Sequence, residues 1–157
     1  MREPFSLRIL DQSRLITKTK ETVMGQLAKF QDQTYALMRM VAGAMFGFHG
    51  LQILFGMMST MPRAPMGSQI WLGGIIEFVC GVFILAGFQT RWSAFLASGT
   101  MAVAYVQFHW KFQLSANFFP AVNQGELALL YAFVFLYIAC RGGAMWCLDK
   151  KIIQPMQ

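Results

Sequence analysis

Between residues 34 and 140 the chain passes through four stretches of about 20 residues, each holding at most one Asp, Glu, Lys or Arg. At a rise of ~1.5 Å per residue, a helix of that length crosses the ~30 Å of bilayer hydrocarbon. Within hydrocarbon, backbone polar groups must find their partners inside the chain, which a helix provides locally. The expected fold is therefore all-α: an integral membrane four-helix bundle with an N-terminal amphipathic cytoplasmic arm. Composition agrees, since 56% of residues are hydrophobic and 13% are charged. A soluble domain of this size carries about twice that charge.

The first span is expected at about Thr34–Met58, where Gly43, Gly47 and Gly50 form a stripe that admits a second helix closely. Two prolines, Pro62 and Pro65, make the next segment a loop. The second span is expected at about Gln69–Phe88 and the third at about Arg91–Trp110. The link between them, Gln89-Thr90, is so short that they must be antiparallel neighbours. Lys111–Asn123, with Phe118-Phe119-Pro120, reads as an interfacial loop, and Gln124–Cys140 as the fourth span. Residues 1–33 form the arm, with Ile16, Val23, Leu27 and Phe30 able to share one apolar face. Residues 34–149 form the transmembrane domain and 150–157 a short cytoplasmic tail.

The net charge of +6 does not argue for nucleic acid. Lys and Arg concentrate before residue 34 and after residue 140, at the ends of the apolar runs. The other side carries only Arg63 and Lys111, so both termini are expected to be cytoplasmic in a multi-pass inner-membrane protein. Cys80, Cys140 and Cys147 form no C-x-x-C pair, and no metal or disulfide framework is expected. No signal peptide is expected, because the first apolar run follows a long charged segment. Nucleophile constellations, phosphate loops and dinucleotide fingerprints are absent.

The informative residues are the charges inside the spans. Glu77 lies mid-span between Gly74 and Gly81, on a helix face without bulk. A carboxylate there costs several kcal/mol unless protonated or paired, so it should point inward. It is either a proton-carrying or ligand-binding acid, or a bond that fixes helix packing. Arg39, early in the first span, is expected to pair with Glu77 or to snorkel to the headgroups. His49 sits deeper in that helix, with Gln52 nearby. Ser98, Met101, Tyr105 and His109 follow one another at helical spacing in the third span. His109 and Glu126 share a depth, which allows an outer-side polar contact. Glu126, Leu130, Phe133, Tyr137 and Arg141 follow one face of the fourth span, with Tyr105 and Tyr137 as interior support. Two histidines raise b-type haem, but His49 is mid-span and His109 near an end, so haem is not expected. Copper at the methionines is expected less still.

These residues resemble the DoxX family of small four-helix membrane proteins. Arg39 followed by Phe48-His49-Gly50, then Gly73-Gly74 with Glu77, then Thr90-Arg91, is similar to the family's ordered elements. Phe118-Phe119-Pro120, Gly125-Glu126, Arg141-Gly142-Gly143 and Leu148-Asp149 continue the likeness. It covers about residues 35–149. A basic residue is common where Gln52 stands, and the N-terminal arm is longer than the family pattern. The resemblance implies an accessory subunit of a membrane-bound, quinone-linked redox complex, not catalytic alone. Its polar interior would be Arg39, His49 and Glu77, with Glu126 carried over on the outer side. A quinone or a lipid is the candidate ligand, with no covalent cofactor. Expected partners are the bilayer, other membrane subunits, or further copies of the chain. The alternatives are an assembly subunit without chemistry and, more remotely, a small transporter.

Overall fold

The computed structural model describes residues 25–60 and 62–149. Most of the expected arm, residues 1–24, and the expected tail, 150–157, lie outside the described residues. The chain divides into two compact units, Met1–Tyr35 and Ala36–Gln157. In the first, Leu27 and Phe30 of the described part are exposed. The second unit holds all the polar residues singled out above.

Four principal helices account for most of the described chain: α1 (Gln31–Phe55), α2 (Gln69–Ala86), α3 (Thr90–Ala104) and α4 (Glu126–Arg141). No strand occurs among the described residues. The helices stop for local reasons. Ser68 accepts a hydrogen bond from the Trp71 N–H (3.2 Å) and so caps the start of α2. Gly87 ends α2 at φ 69°, a left-handed conformation that costs glycine little. The reversal at Gln89 then starts α3, and α2 and α3 pack as neighbours.

α3 does not end at Ala104. It runs directly into a π-helical turn, Tyr105–Trp110, closed by the Lys111 N–H on the Val106 carbonyl (2.9 Å). The spacing of Ser98, Met101, Tyr105 and His109 assumed 3.6 residues per turn throughout; the wider turn after Ala104 breaks that register. Lys111 and Phe112, both at φ 55°, then stop the helix. The expected interfacial loop holds two short helical turns, Ala116–Phe118 and Pro120–Asn123.

The α1–α2 contact explains the glycines. A Cβ on Gly50 would lie 2.7 Å from the Gly74 carbonyl oxygen, and one on Gly43 would lie 2.8 Å from that of Gly81. A Cβ on Gly81 would overlap the Gly47 backbone. The two stripes therefore face each other, antiparallel, with backbone against backbone. α3 and α4 pack against each other, and the Ser98 hydroxyl donates to the Ala132 carbonyl (2.7 Å). Phe46 of α1 meets Phe135 of α4 with ring centroids 4.7 Å apart.

α4 buries Ala128, Ala132, Phe135 and Ile138. Tyr137, expected as interior support, is instead on the outer face at 50% exposed, with Leu130 at 61% and Phe133 at 64% on the same stripe. Leu37, Val41 and Met45 of α1 and Trp92, Phe95 and Leu96 of α3 are likewise exposed. Apolar exposure on this scale marks surface that is covered by lipid or by another protein. α1 and α2 are each long and apolar enough to cross a membrane.

Candidate functional site

The close approach of α1 and α2 brings His49 to Glu77. Nδ1 of His49 lies 2.6 Å from Oε2 of Glu77, a short hydrogen bond. The two side chains are unequally placed: Glu77 is 5% exposed and His49 60%. The acid is walled in by the glycine contact, and the imidazole stands between it and open space.

That space is a cavity of about 450 Å³ enclosed by α1, α4, the end of α3 and its π turn. Its polar lining is His49, Gln52, His109, Gln124 and Tyr131. Met45, Phe48 and Leu127, which also line it, are exposed on the outer surface, so the cavity opens sideways between α1 and α4. Volume and lining suit a small ligand: a mostly apolar cleft with a few convergent polar groups.

His109 reaches the cavity from the π turn. Its Nδ1 lies 3.1 Å from the Asn123 carbonyl oxygen. The Asn123 side chain is itself fixed, donating to the Asn117 carbonyl (2.7 Å) and accepting from the Gly125 N–H (2.8 Å). Tyr105 adds to this loop, its hydroxyl donating to the Phe118 carbonyl (3.1 Å). The expected Glu126–His109 contact is not formed, since Asn123 takes the imidazole and Glu126 opens onto the exterior beside Leu130 and Phe133. Of the residues singled out from the sequence, His49, Gln52, Met101 and His109 line this one space, and Glu77 lies behind it, bonded to His49.

Arg39 does not pair with Glu77. Its guanidinium is fully buried at the other end of the helices and donates to the carbonyls of Ile84 and Leu85 (3.0 Å for the latter), which end α2. It also donates to the carbonyls of Met145 (3.3 Å) and Trp146 (2.8 Å). Ile84 lies two helical turns from Glu77, roughly 10 Å along α2. The physical reason is the helix terminus: the last carbonyls of a helix lack intrahelical partners and carry partial negative charge, which draws a cation. Snorkelling does not describe it either, because the head is enclosed. Arg91 repeats the device on α4, donating to Ala139 (3.1 Å), Cys140 (2.5 Å) and Arg141 (3.3 Å).

Gln124, Tyr131 and Asn123 escaped the sequence reading. Tyr131 has no mark in the sequence that sets it apart, and the stacking of its ring on Phe135 (5.2 Å) sets it against the cavity. Asp149 was also missed as a structural group. Its carboxylate accepts from the backbone N–H groups of Gln89 (2.7 Å) and Thr90 (3.0 Å), supplying from a distance the cap that α3 lacks. Among the described residues no group of three metal-ligating side chains occurs.

Among the described residues the structure is all-helical, with two helices apolar and long enough to span and a largely apolar exterior, as a membrane protein in contact with lipid has. Residues 34–110 match the DoxX family. An uncharacterised protein of Haemophilus influenzae is 35% identical over 134 residues, covering 83% of this chain and 99% of the relative. No solved structure is found to match. The chain belongs to the DoxX family of membrane proteins.

Proposed function

We propose that this chain is a four-span inner-membrane subunit of a quinone-linked redox complex, and that the His49 cavity receives the quinone headgroup. The observation that carries the reading is the His49–Glu77 contact of 2.6 Å at the wall of a 450 Å³ space that opens sideways. A quinone lives in the bilayer, so a lateral opening lined by Met45, Phe48 and Leu127 suits its entry and leaves its tail in lipid. A buried acid behind an accessible imidazole suits proton exchange with a ring oxygen, because the pair can hold or release a proton while staying hydrogen-bonded. Four spans follow if the helical run Thr90–Trp110 and the shorter α4 cross as α1 and α2 do. Both termini are then cytoplasmic by the distribution of Lys and Arg. Electron transfer itself belongs to partner subunits.

Glu77→Gln tests the reading. It keeps shape and hydrogen bonding but removes the charge. Quinone-linked activity of the natively purified complex should fall by roughly 10²-fold, in the range for loss of a positioned acid–base group, while the complex stays assembled. Unchanged electron transfer in Glu77→Gln, with Glu77→Leu only destabilising the fold, would favour the second reading. In that reading the pair is interhelical glue in an assembly subunit, a role suggested by its place on the glycine contact.

A further inference from the structure

His109 contributes something to the cavity that His49 does not: a nitrogen whose hydrogen-bonding sense is fixed. A backbone carbonyl only accepts, so the 3.1 Å contact with Asn123 requires the proton to be on Nδ1 of His109. In the neutral ring, Nε2 then carries a lone pair and no proton. Since His109 lines the cavity and Nδ1 is engaged, Nε2 is the nitrogen left for a ligand. The Asn123 carbonyl cannot swing away easily, because its side chain is tied to Asn117 and Gly125. At the His49 end no such rule holds, since a carboxyl partner can either donate or accept.

We infer that His109 is the specificity-determining residue of the cavity and that it selects a ring bearing a hydroxyl group, the reduced hydroquinone over the quinone. This rests on the proposed quinone-site reading and adds the redox form that binds. A quinone oxygen only accepts, so it would face the Nε2 lone pair with no proton between them. A hydroquinone hydroxyl donates to Nε2. The second hydroxyl can donate or accept, so it satisfies His49 in either protonation state. Discrimination therefore falls on His109 and not on the His49–Glu77 pair. The π turn has a use here: it is the local irregularity on which His109 reaches the cavity.

The test is anaerobic isothermal titration of the full chain in detergent at pH 8, with a short-tailed benzoquinone and with its dithionite-reduced hydroquinone. The hydroquinone should bind about tenfold more tightly, the worth of one well-made hydrogen bond against an unmade one. His109→Phe should bring the ratio close to one by weakening the hydroquinone alone. His109→Gln offers an amide oxygen as acceptor and should keep most of the preference. Equal binding of the two forms by the wild type, tighter binding of the quinone, or a His109→Phe variant that folds and keeps the preference would overturn the inference while leaving the quinone site standing. Binding of neither form would overturn the quinone reading itself, and the inference with it.

Discussion

The two ends of the packed helices both hold charged side chains, yet use them in opposite ways. At one end Arg39, Arg91 and Asp149 are directed at backbone groups: the last carbonyls of α2, the last carbonyls of α4, and the first N–H groups of α3. Toward the other end, midway along α2, His49 and Glu77 bond each other beside an open cavity. Charge set against helix termini completes the fold, because it satisfies groups that every helix leaves over. Charge set against another titratable side chain, with an exposed imidazole, leaves capacity for something from outside. A buried ion in an apolar protein is thus not by itself a sign of function; the identity of its partners decides.

The sharpest way to break this comparison is to remove Arg39. Arg39→Met keeps the aliphatic stem but leaves the Ile84 and Leu85 carbonyls, and those of Met145 and Trp146, without their donor. The lost charge-assisted bonds, with Ile84 left only the Gly87 N–H (3.3 Å), should cost about 3 kcal/mol or more. The expected result is a large fall in the unfolding midpoint in detergent, with quinone or hydroquinone affinity unchanged in whatever remains folded. An Arg39→Met protein of wild-type stability that had lost ligand binding would transfer Arg39 to the functional end.

The next effect is smaller and separates packing from the site. Gly81→Ala places a Cβ against the Gly47 backbone, which cannot yield as a side chain would, and should cost about 1–3 kcal/mol. Gly50→Ala meets the backbone of Phe78 and Gly74 to a similar degree, but stands next to His49. Both should lower the unfolding midpoint, and only Gly50→Ala should also weaken ligand binding, by parting His49 from Glu77. Gly73→Ala is the control: its Cβ meets nothing within 4 Å, so stability should hold or rise slightly with the better helix former. Equal loss in all three would mean that the glycine contact has no special part in holding the pair together.

The same contrast explains what was legible in the sequence. The helical fold was, because length and apolarity of the runs are properties of each segment alone. That Glu77 needed company was legible too, since the cost of a buried acid depends only on its depth. Its partner was not. His49 and Arg39 are both on α1, and choosing between them requires the register of α1 against α2, which the glycines set only when both stripes are seen together. The pull of opposite charges favoured Arg39, but unsatisfied helix ends took it. The π turn that carries His109 has no visible signal in Tyr105–Trp110. Tyr137 was misjudged as interior because both faces of α4 are apolar, so hydrophobicity does not mark its inside. Here the small residues Ala128 and Ala132 mark it better than the large ones.

The least disruptive test concerns Asp149, which bonds α3 from about sixty positions further along the chain. Gln89 makes no side-chain cap of its own, so the first N–H groups of α3 depend on this carboxylate. Asp149 is in turn fixed by its own N–H on the Gly87 carbonyl (2.9 Å), so the segment after α4 is held against the α2–α3 turn at both backbone and side chain. Asp149→Ala should cost about 1 kcal/mol, the usual worth of a cap, and Asp149→Asn clearly less, since an amide oxygen still accepts. The measurement is the unfolding midpoint of the two variants side by side, with hydroquinone affinity as the second readout. If both variants lose stability equally, the carboxylate acts through its charge on the α3 dipole and not as an acceptor. If either loses ligand affinity without losing stability, the two ends are coupled, and the division drawn between them fails.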